Sequence, residues 1–476
     1  MSTATETLQV TITAGSASKL EPVPGSQSVA PLEIEEPEKP RLSDWRRGLI
    51  VFIAGWNALV STSASTSLLI ATPEVSAELK TNQNTLNVTN AGFLVAMACS
   101  PLLWIPLANI TSRRLSYNLA LVVMAVGSIG TATAPDLGTF TAMRLLSGLT
   151  GAYVLVAGQT IVFDIFSPTD RAKAISRLAL GAICGTWLGP CIGGILLTFT
   201  DSWRNINYLQ CAQAGLGLIL SFLFVPHIES DMVQLHEKKG GKRLSVTGVA
   251  RAFSPMFIFR LYLKPQLLLT DFVCAFLALT QYGLATSIRH TINPTFNLTT
   301  PLVGGLFYLA PALGFMIGGL LGGYLSDRTV QRWIIKRNGV RLPKDRLNCI
   351  LPNLFAILPL SELLYGWALH QGFGGLALPV VMAVLMGIGL EGSFAGLTTY
   401  TGEVLPNHKA GAVCTRLLLQ YTSAGISIAA TVPIIDRIGI GWLMTLTAGL
   451  KVVGGCMVLL VSRFAPDTGV WAYKEE

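Results

Sequence analysis

Charge is what this chain has least of. Only 13% of its 476 residues are Asp, Glu, Lys or Arg, against roughly 25% in a soluble globular protein. With 51% hydrophobic residues and a mean hydropathy of +0.55, that scarcity excludes an ordinary water-soluble fold. The machinery of several function classes is lacking as well. No G-x-x-x-x-G-K-[ST] phosphate loop is present, which excludes an ATP-driven pump in this chain alone. No nucleophile and base stand at a recognisable spacing, so no enzyme is indicated. His227, His236, His290, His370 and His408 show no metal-ligand spacing. The eight cysteines form no close C-x-x-C pair and fall mostly within apolar runs, which speaks against a disulfide framework or a zinc site. No metal or cofactor is expected. The net charge of +8 does not point to nucleic acid, because the basic residues gather in loops between apolar runs. Residues 1–44 are polar, with Glu33, Glu35, Glu36 and Glu38 close to the first run; they read as a disordered cytosolic tail, not a secretory signal.

What is abundant is apolar sequence in long runs. A membrane-crossing helix needs roughly 20 such residues. Twelve stretches qualify: 48–72, 86–107, 115–134, 139–166, 174–199, 204–226, 266–288, 301–325, 348–370, 375–400, 411–435 and 439–462. Lys and Arg set the orientation. The loops expected inside carry Arg46 and Arg47, Arg113 and Arg114, Arg171 and Lys173, and dense clusters at 238–264 and 328–346. The loops expected outside carry little beyond Lys80, Arg204, Arg289 and Arg437. The bias places both termini of a multi-pass membrane protein in the cytosol. The expected organisation is a tail (1–44), a six-helix half (45–226), a cytosolic middle loop (227–264), a second six-helix half (265–463) and a short cytosolic tail (464–476). The halves echo each other. Phe163-Asp164 before Arg171 matches Gly402-Glu403 before Lys409, and Pro101 through Asn109 matches Pro311 through Arg328. Such repeats place a substrate site near the midplane between halves.

One run is unusual for a spanning helix: Ser176-Arg-Leu-Ala-Leu-Gly-Ala-Ile-Cys-Gly185-Thr-Trp-Leu-Gly189-Pro190-Cys-Ile-Gly193-Gly194. Gly costs about 1 kcal/mol and Pro about 3 inside a helix, so this density implies close helix approach or a bend. Read as G-x8-G-x3-G-P-x2-G-G with Ser176 in the first slot, it resembles the antiporter signature in span 5 of the major facilitator superfamily. The resemblance implies an all-α fold of twelve helices in two six-helix repeats, and a proton-coupled exporter. Leu107-Ala-Asn109-Ile-Thr-Ser-Arg113-Arg114 resembles the superfamily's gate-latch loop with the acid replaced by Asn109. Arg113 or Arg114 is then left to pair with Asp164. The second copy, Gly323-Tyr-Leu325-Ser-Asp327-Arg328, keeps its acid. A plainer reading makes these arginines topology anchors. Arg144-Leu-Leu-Ser-Gly148-Leu-Thr-Gly151 resembles the family's R-x-x-x-G-x-x-G motif, which ties the arginine to proton or anion handling. An arginine inside a span should face a cavity or a carboxylate, unless it snorkels to the interface.

Acids within spans are natural proton carriers. Glu391, set among Gly387, Gly389 and Gly392, is the first candidate, and Asp271 the second; the plain readings are a hydrogen-bonded helix contact for Glu391, and a cap or a partner of Lys264 for Asp271. Glu362 lies in the ninth run, and Lys451 in the twelfth reads as a structural partner of an acid. A dicarboxylate needs cations and hydrogen-bond donors. Arg144, Arg289 and Arg416 supply the first, although Arg289 and Arg416 stand near predicted span ends, and Gln159, Gln281, Tyr282, Gln420 and Tyr421 supply the second. Asn87 and Asn297 head glycosylation sequons in segments expected outside.

The loop from Ser326 to Leu347 resembles the fungal twelve-span drug:proton antiporter branch. Asn90 to Met97, Arg113 to Asn118, Gly305 to Pro311 and Val432 to Trp442 resemble fungal itaconate exporters within it. The resemblance implies a monomeric carrier of a small organic acid, itaconate or a related metabolite, exchanged for protons across the plasma-membrane bilayer. The alternative is broad efflux of drugs or secondary metabolites.

Overall fold

The computed structural model describes residues 43–166, 171–226, 256–296, 300–336, 342–404 and 409–464. The predicted tails, most of the middle loop and the Asn297 sequon fall outside these residues. Twelve helical segments are long and apolar enough to cross a membrane, and we number them as spans 1 to 12. They are Asp44–Leu69, Gln83–Ile110, Arg113–Ala132, Leu137–Val162, Ala174–Thr200 and Arg204–Phe224, then Pro265–Ile292, Pro301–Lys336, Lys344–Gln371, Ala377–Val404, Gly411–Ile438 and Ile440–Phe464. The chain is therefore an all-α, multi-pass membrane protein of two six-helix repeats. Phe199, Phe222, Leu320 and Leu446 lie exposed on its flanks, the apolar surface that acyl chains cover. Span 8 runs eleven residues beyond its predicted end at 325. Charge ends its apolar run at Asp327, but no Gly or Pro intervenes between Gly323 and Gly339 to stop the helix.

The two ends of the bundle differ. One, the basic end, carries Arg113, Arg114, Arg328, Lys336 and Arg346; the far end carries Glu74, Glu78, Asp136 and Asp436 beside Arg204 and Arg289. Within each half the same pairings recur: span 1 on span 5 as span 7 on span 11, and span 2 on span 4 as span 8 on span 10. The halves meet mainly where span 2 packs on span 11 and span 5 on span 8.

Two helix irregularities are compensated by side chains, as the scarcity of water there favours. Pro101 removes the donor for the Met97 carbonyl, and the Ser100 hydroxyl takes its place at 2.8 Å. Span 4 breaks between Leu137–Gly148 and Gly151–Ile165. The polar groups freed there find side chains: Trp104 Nε1 donates to Leu149 O (2.7 Å), Ser61 Oγ to Gly151 O (2.9 Å), and Tyr153 N to Ser100 Oγ (3.0 Å).

Candidate functional site

Arg144 sits one turn before the break in span 4 and is only 2% exposed. It neither snorkels nor meets a carboxylate, as the sequence had suggested. Its Nη1 donates to Ala64 O of span 1 (2.9 Å), its Nη2 to Asn90 Oδ1 of span 2 (3.2 Å), and its guanidinium lies 4.3 Å from the Phe93 ring centre. A buried arginine held by a carbonyl, an amide and an aromatic face has its charge spread over three spans.

In the second half, three spans bring charge together. Asp271 on span 7 is fully buried; neither carboxylate oxygen has a hydrogen-bond partner among the described residues. The Thr415 hydroxyl lies beside it but spends its proton on Ala412 O (2.9 Å). The charge facing Asp271 is Arg416 on span 11, which is 7% exposed and lies beside Cys274 of span 7. Glu391 on span 10 faces the same Arg416. Arg416 Nη1 donates to Gln420 Oε1 at 3.0 Å, one turn along its own helix. Both carboxyl groups therefore lie within electrostatic reach of one guanidinium, although neither forms an ion pair with it closer than 4.0 Å. Tyr421 and Tyr282 are buried in the same apolar cluster, and Tyr282 reaches Ser65 of span 1 at 3.3 Å. Gln281 is buried on span 7, and Gln159 lies half-buried on span 4. A second buried pair, Glu362 and Lys451 at 3.6 Å, ties spans 9 and 12 together, with Lys451 also donating to Phe276 O and Thr280 Oγ1 on span 7.

Glu391 also marks where the halves meet. A Cβ on Gly319 of span 8 would touch Glu391 Cγ at 3.5 Å and Ile183 of span 5 at 3.8 Å. Gly323, one turn nearer the basic end on the same face, has nothing within 4 Å. Toward the far end the contact tightens: Trp187 packs on Phe315 with ring centres 5.2 Å apart, and a Cβ on Gly194 would lie 2.7 Å from Pro301 O. Spans 5 and 8 thus converge at the far end and part toward the basic end.

The glycines of span 5 explain its role. Gly181, Gly185, Gly189 and Gly193 repeat every fourth residue, so they line one face, and that face lies on span 1. A Cβ on Gly181 or Gly185 would collide with the carbonyl of Gly55 or Leu59; one on Gly189 or Gly193 would come within 3.0 or 2.8 Å of Ser63 or Ser67 O. Gly194 faces the opposite way, onto span 8. Pro190 sits within the continuous helix Arg171–Thr200. Gly181 belongs to the stripe although the signature spacing, counted from Ser176, passes over it.

At the basic end Arg113 binds both oxygens of Asp164, the pairing left open by the loss of an acid at Asn109. Arg114 instead donates to Phe222 O and lies over the Phe222 ring. Asp327 pairs not with its neighbour Arg328, which lies 4.4 Å from the Tyr324 ring centre, but with Arg346 (3.2 Å). Arg346 also holds Glu403 (2.9 Å). The second-half counterpart of Arg113 and Asp164 is thus Arg346 and Glu403, and the match of Asp164 with Glu403 at the span ends was the available signal. At the far end Arg289 pairs with Glu74 of the other half at 2.9 Å. The Asn87 sequon is a correction: the residue is 3% exposed within span 2, where its amide is closed to a glycosylating enzyme.

Known proteins agree with this architecture. The chain is 24% identical over 435 residues to the multidrug transporter DTR1 of Candida glabrata, covering 83% of this chain and 80% of that one. It is 23% identical over 460 residues to dityrosine transporter 1 of Saccharomyces cerevisiae, covering 87% and 79%. Its fold matches a partially occluded, inward-open structure of the xylose transporter XylE from E. coli, with a TM-score of 0.65 at 15% identity over 90% of this chain and 99% of that one. The family model described as Major Facilitator Superfamily matches residues 54–430, and the chain belongs to that family of membrane transporters.

Proposed function

We propose that the chain is a proton antiporter that exports a drug-like molecule or secondary metabolite across the plasma membrane by alternating access. The basic end is cytosolic in this reading, as are both termini, because Lys and Arg gather there. The protein works as a monomer around a cavity walled by Gln159, Gln281, Tyr282, Gln420 and Tyr421. The divergence of spans 5 and 8 toward the basic end supports an inward-facing form.

The observation that carries the reading is the placement of two acids, Asp271 and Glu391, on spans 7 and 10 within electrostatic reach of the buried Arg416 of span 11. Two carboxyl groups and one guanidinium balance electrically when one carboxyl holds a proton. A substrate that presents a cationic or hydrogen-donating group competes with that proton, which is the exchange antiport requires. An anion on Arg416 acts in the opposite sense: it favours protonated neighbours and travels with the proton. Arg144 and Arg289 already have protein partners, so a dicarboxylate would have to break those bonds to use them. The relatives named for multidrug and dityrosine transport support the same substrate class. Export of itaconate or a related acid keeps the support of the sequence resemblance, and one experiment separates the two readings.

That experiment is transport in proteoliposomes under an imposed pH gradient, with a lipophilic cationic dye and labelled itaconate offered separately. The expected result is dye moving against protons, and no such movement in the Asp271→Asn, Glu391→Gln double variant. Itaconate movement with a stationary dye would place the chain among organic-acid carriers. Dye movement without proton movement would end the antiport reading.

A further inference from the structure

We infer that the hydroxyl contact between Ser65 and Tyr282 is the joint through which the proton state of the second half is coupled to closure against the first. The inference rests on the antiport reading and names the residues that transmit it.

The contact belongs to a continuous buried line. Ser65 Oγ donates to Thr62 O at 2.6 Å, so its single proton is spent and the Tyr282 hydroxyl is the donor across the 3.3 Å gap. Ser65 follows Ala64, whose carbonyl receives Arg144 Nη1. This turn of span 1 is thereby fixed to span 4 by a buried charge. On the other side Tyr282 and Tyr421 are buried in one apolar cluster on the packed spans 7 and 11, and on span 11 Gln420, next to Tyr421, accepts from Arg416. Arg416 faces both Asp271 and Glu391. The line therefore runs from the arginine of span 4 to the charge cluster of spans 7, 10 and 11, and it crosses between halves at Ser65 and Tyr282.

Position gives the contact its consequence. Ser65, Tyr282 and Tyr421 are all buried, and hydrogen bonds in such surroundings are strong and costly to leave unmade. One partner sits on each half, so any rocking of the halves that opens the far end must break this bond. Proton loss from either carboxyl strengthens its hold on Arg416, which shifts Gln420 and Tyr421 on the same helix and alters the support under Tyr282. The bond thus reports the cluster's charge to the interface that must open. Ser65 and Tyr282 act as positioning residues, with no need to hold the proton themselves.

The test separates coupling from carriage, using full-length protein in proteoliposomes. Exchange of dye for dye with no pH gradient measures carriage; accumulation of dye driven by a pH gradient measures coupling. Ser65→Ala should keep exchange near the wild-type rate and lose about tenfold in driven accumulation, a coupling of ordinary size. Ser65→Thr, which keeps the hydroxyl, should restore accumulation. Tyr282→Phe, in the cavity wall, should lose at least as much accumulation as Ser65→Ala. Wild-type accumulation in Ser65→Ala would overturn the inference, as would an equal loss of exchange and accumulation in that variant. Should Asp271→Asn and Glu391→Gln also keep full accumulation, the antiport reading fails; loss of coupling in those two alone leaves that reading standing and removes only the joint.

Discussion

The Thr66 hydroxyl on span 1 donates at 2.7 Å to the carbonyl of Thr186 on span 5, four residues before Pro190. Proline has no N–H, so this carbonyl lacks its helical donor. A side chain from the neighbouring span supplies what the proline removes. Thr66→Val leaves the carbonyl unsatisfied and should destabilise the protein by about 1–2 kcal/mol. In a Pro190→Ala background the helical N–H returns, and Thr66→Val should then cost little. A thermal-unfolding double-mutant cycle in detergent measures the difference; equal costs in both backgrounds would refute the compensation.

The glycine stripe predicts a graded response. Gly185→Ala and Gly181→Ala force spans 1 and 5 apart at backbone atoms that have nowhere to move, at a cost of about 1–3 kcal/mol each. Transport should fall with stability. Gly215→Ala and Gly449→Ala, at positions with nothing within 4 Å, serve as controls and should be neutral or slightly stabilising. Melting temperatures and dye transport across the four variants check the ordering.

The Glu74 and Arg289 pair closes the far end between halves. Reversing either charge should favour the opened far end by about 1 kcal/mol, a factor of about five in population. The double reversal Glu74→Arg, Arg289→Glu should restore closure. Labelling of a cysteine placed in the far-end vestibule reads the population, and its dependence on salt should reverse in the single variants, where like charges face each other.

Acid sensitivity has one contributor outside the spans. Asp136 caps the helix of span 4, and the Thr139 amide and hydroxyl donate to its carboxylate, holding its pKa below the ordinary carboxylate range. A depressed native pKa means that the cap's contribution is present above the unfolded pKa and lost as pH falls through the lower native one. Asp136→Ala should therefore lower the melting temperature at neutral pH, and the gap to wild type should close below about pH 4. A constant gap down to pH 2 would contradict the assignment.

Much of the architecture was legible because it rests on composition. Runs of apolar residues mark the spans, and Gly185, Gly189, Gly193 and Gly194 announced close packing before any partner was known. What they pack against was not legible: Gly193 and Gly194 are adjacent in sequence yet face span 1 and span 8. Arg416 was named among the available cations but discounted for its position. In sequence it stands near a span end and resembles an anchor. Its burial follows from spans 7, 10 and 11 meeting around it, a fact of tertiary packing. Arg346 was hidden for a similar reason, since Arg328 stands next to Asp327 in the chain while Arg346 reaches it in space. Arg144 was expected to face a cavity or a carboxylate, but its partners are a carbonyl, an amide and a ring, none of which advertises itself as a counter-charge.

The most direct test of the account is proton release on substrate binding. Purified protein in weakly buffered detergent solution would be mixed with a transported dye in a stopped-flow instrument with a pH indicator. The account predicts release of protons by wild type, near one per bound dye, and none from the Asp271→Asn, Glu391→Gln double variant although it still binds. Dye binding with no proton release by wild type, or undiminished release by the double variant, would contradict the claim that Asp271 and Glu391, balanced on Arg416, carry the exchanged proton.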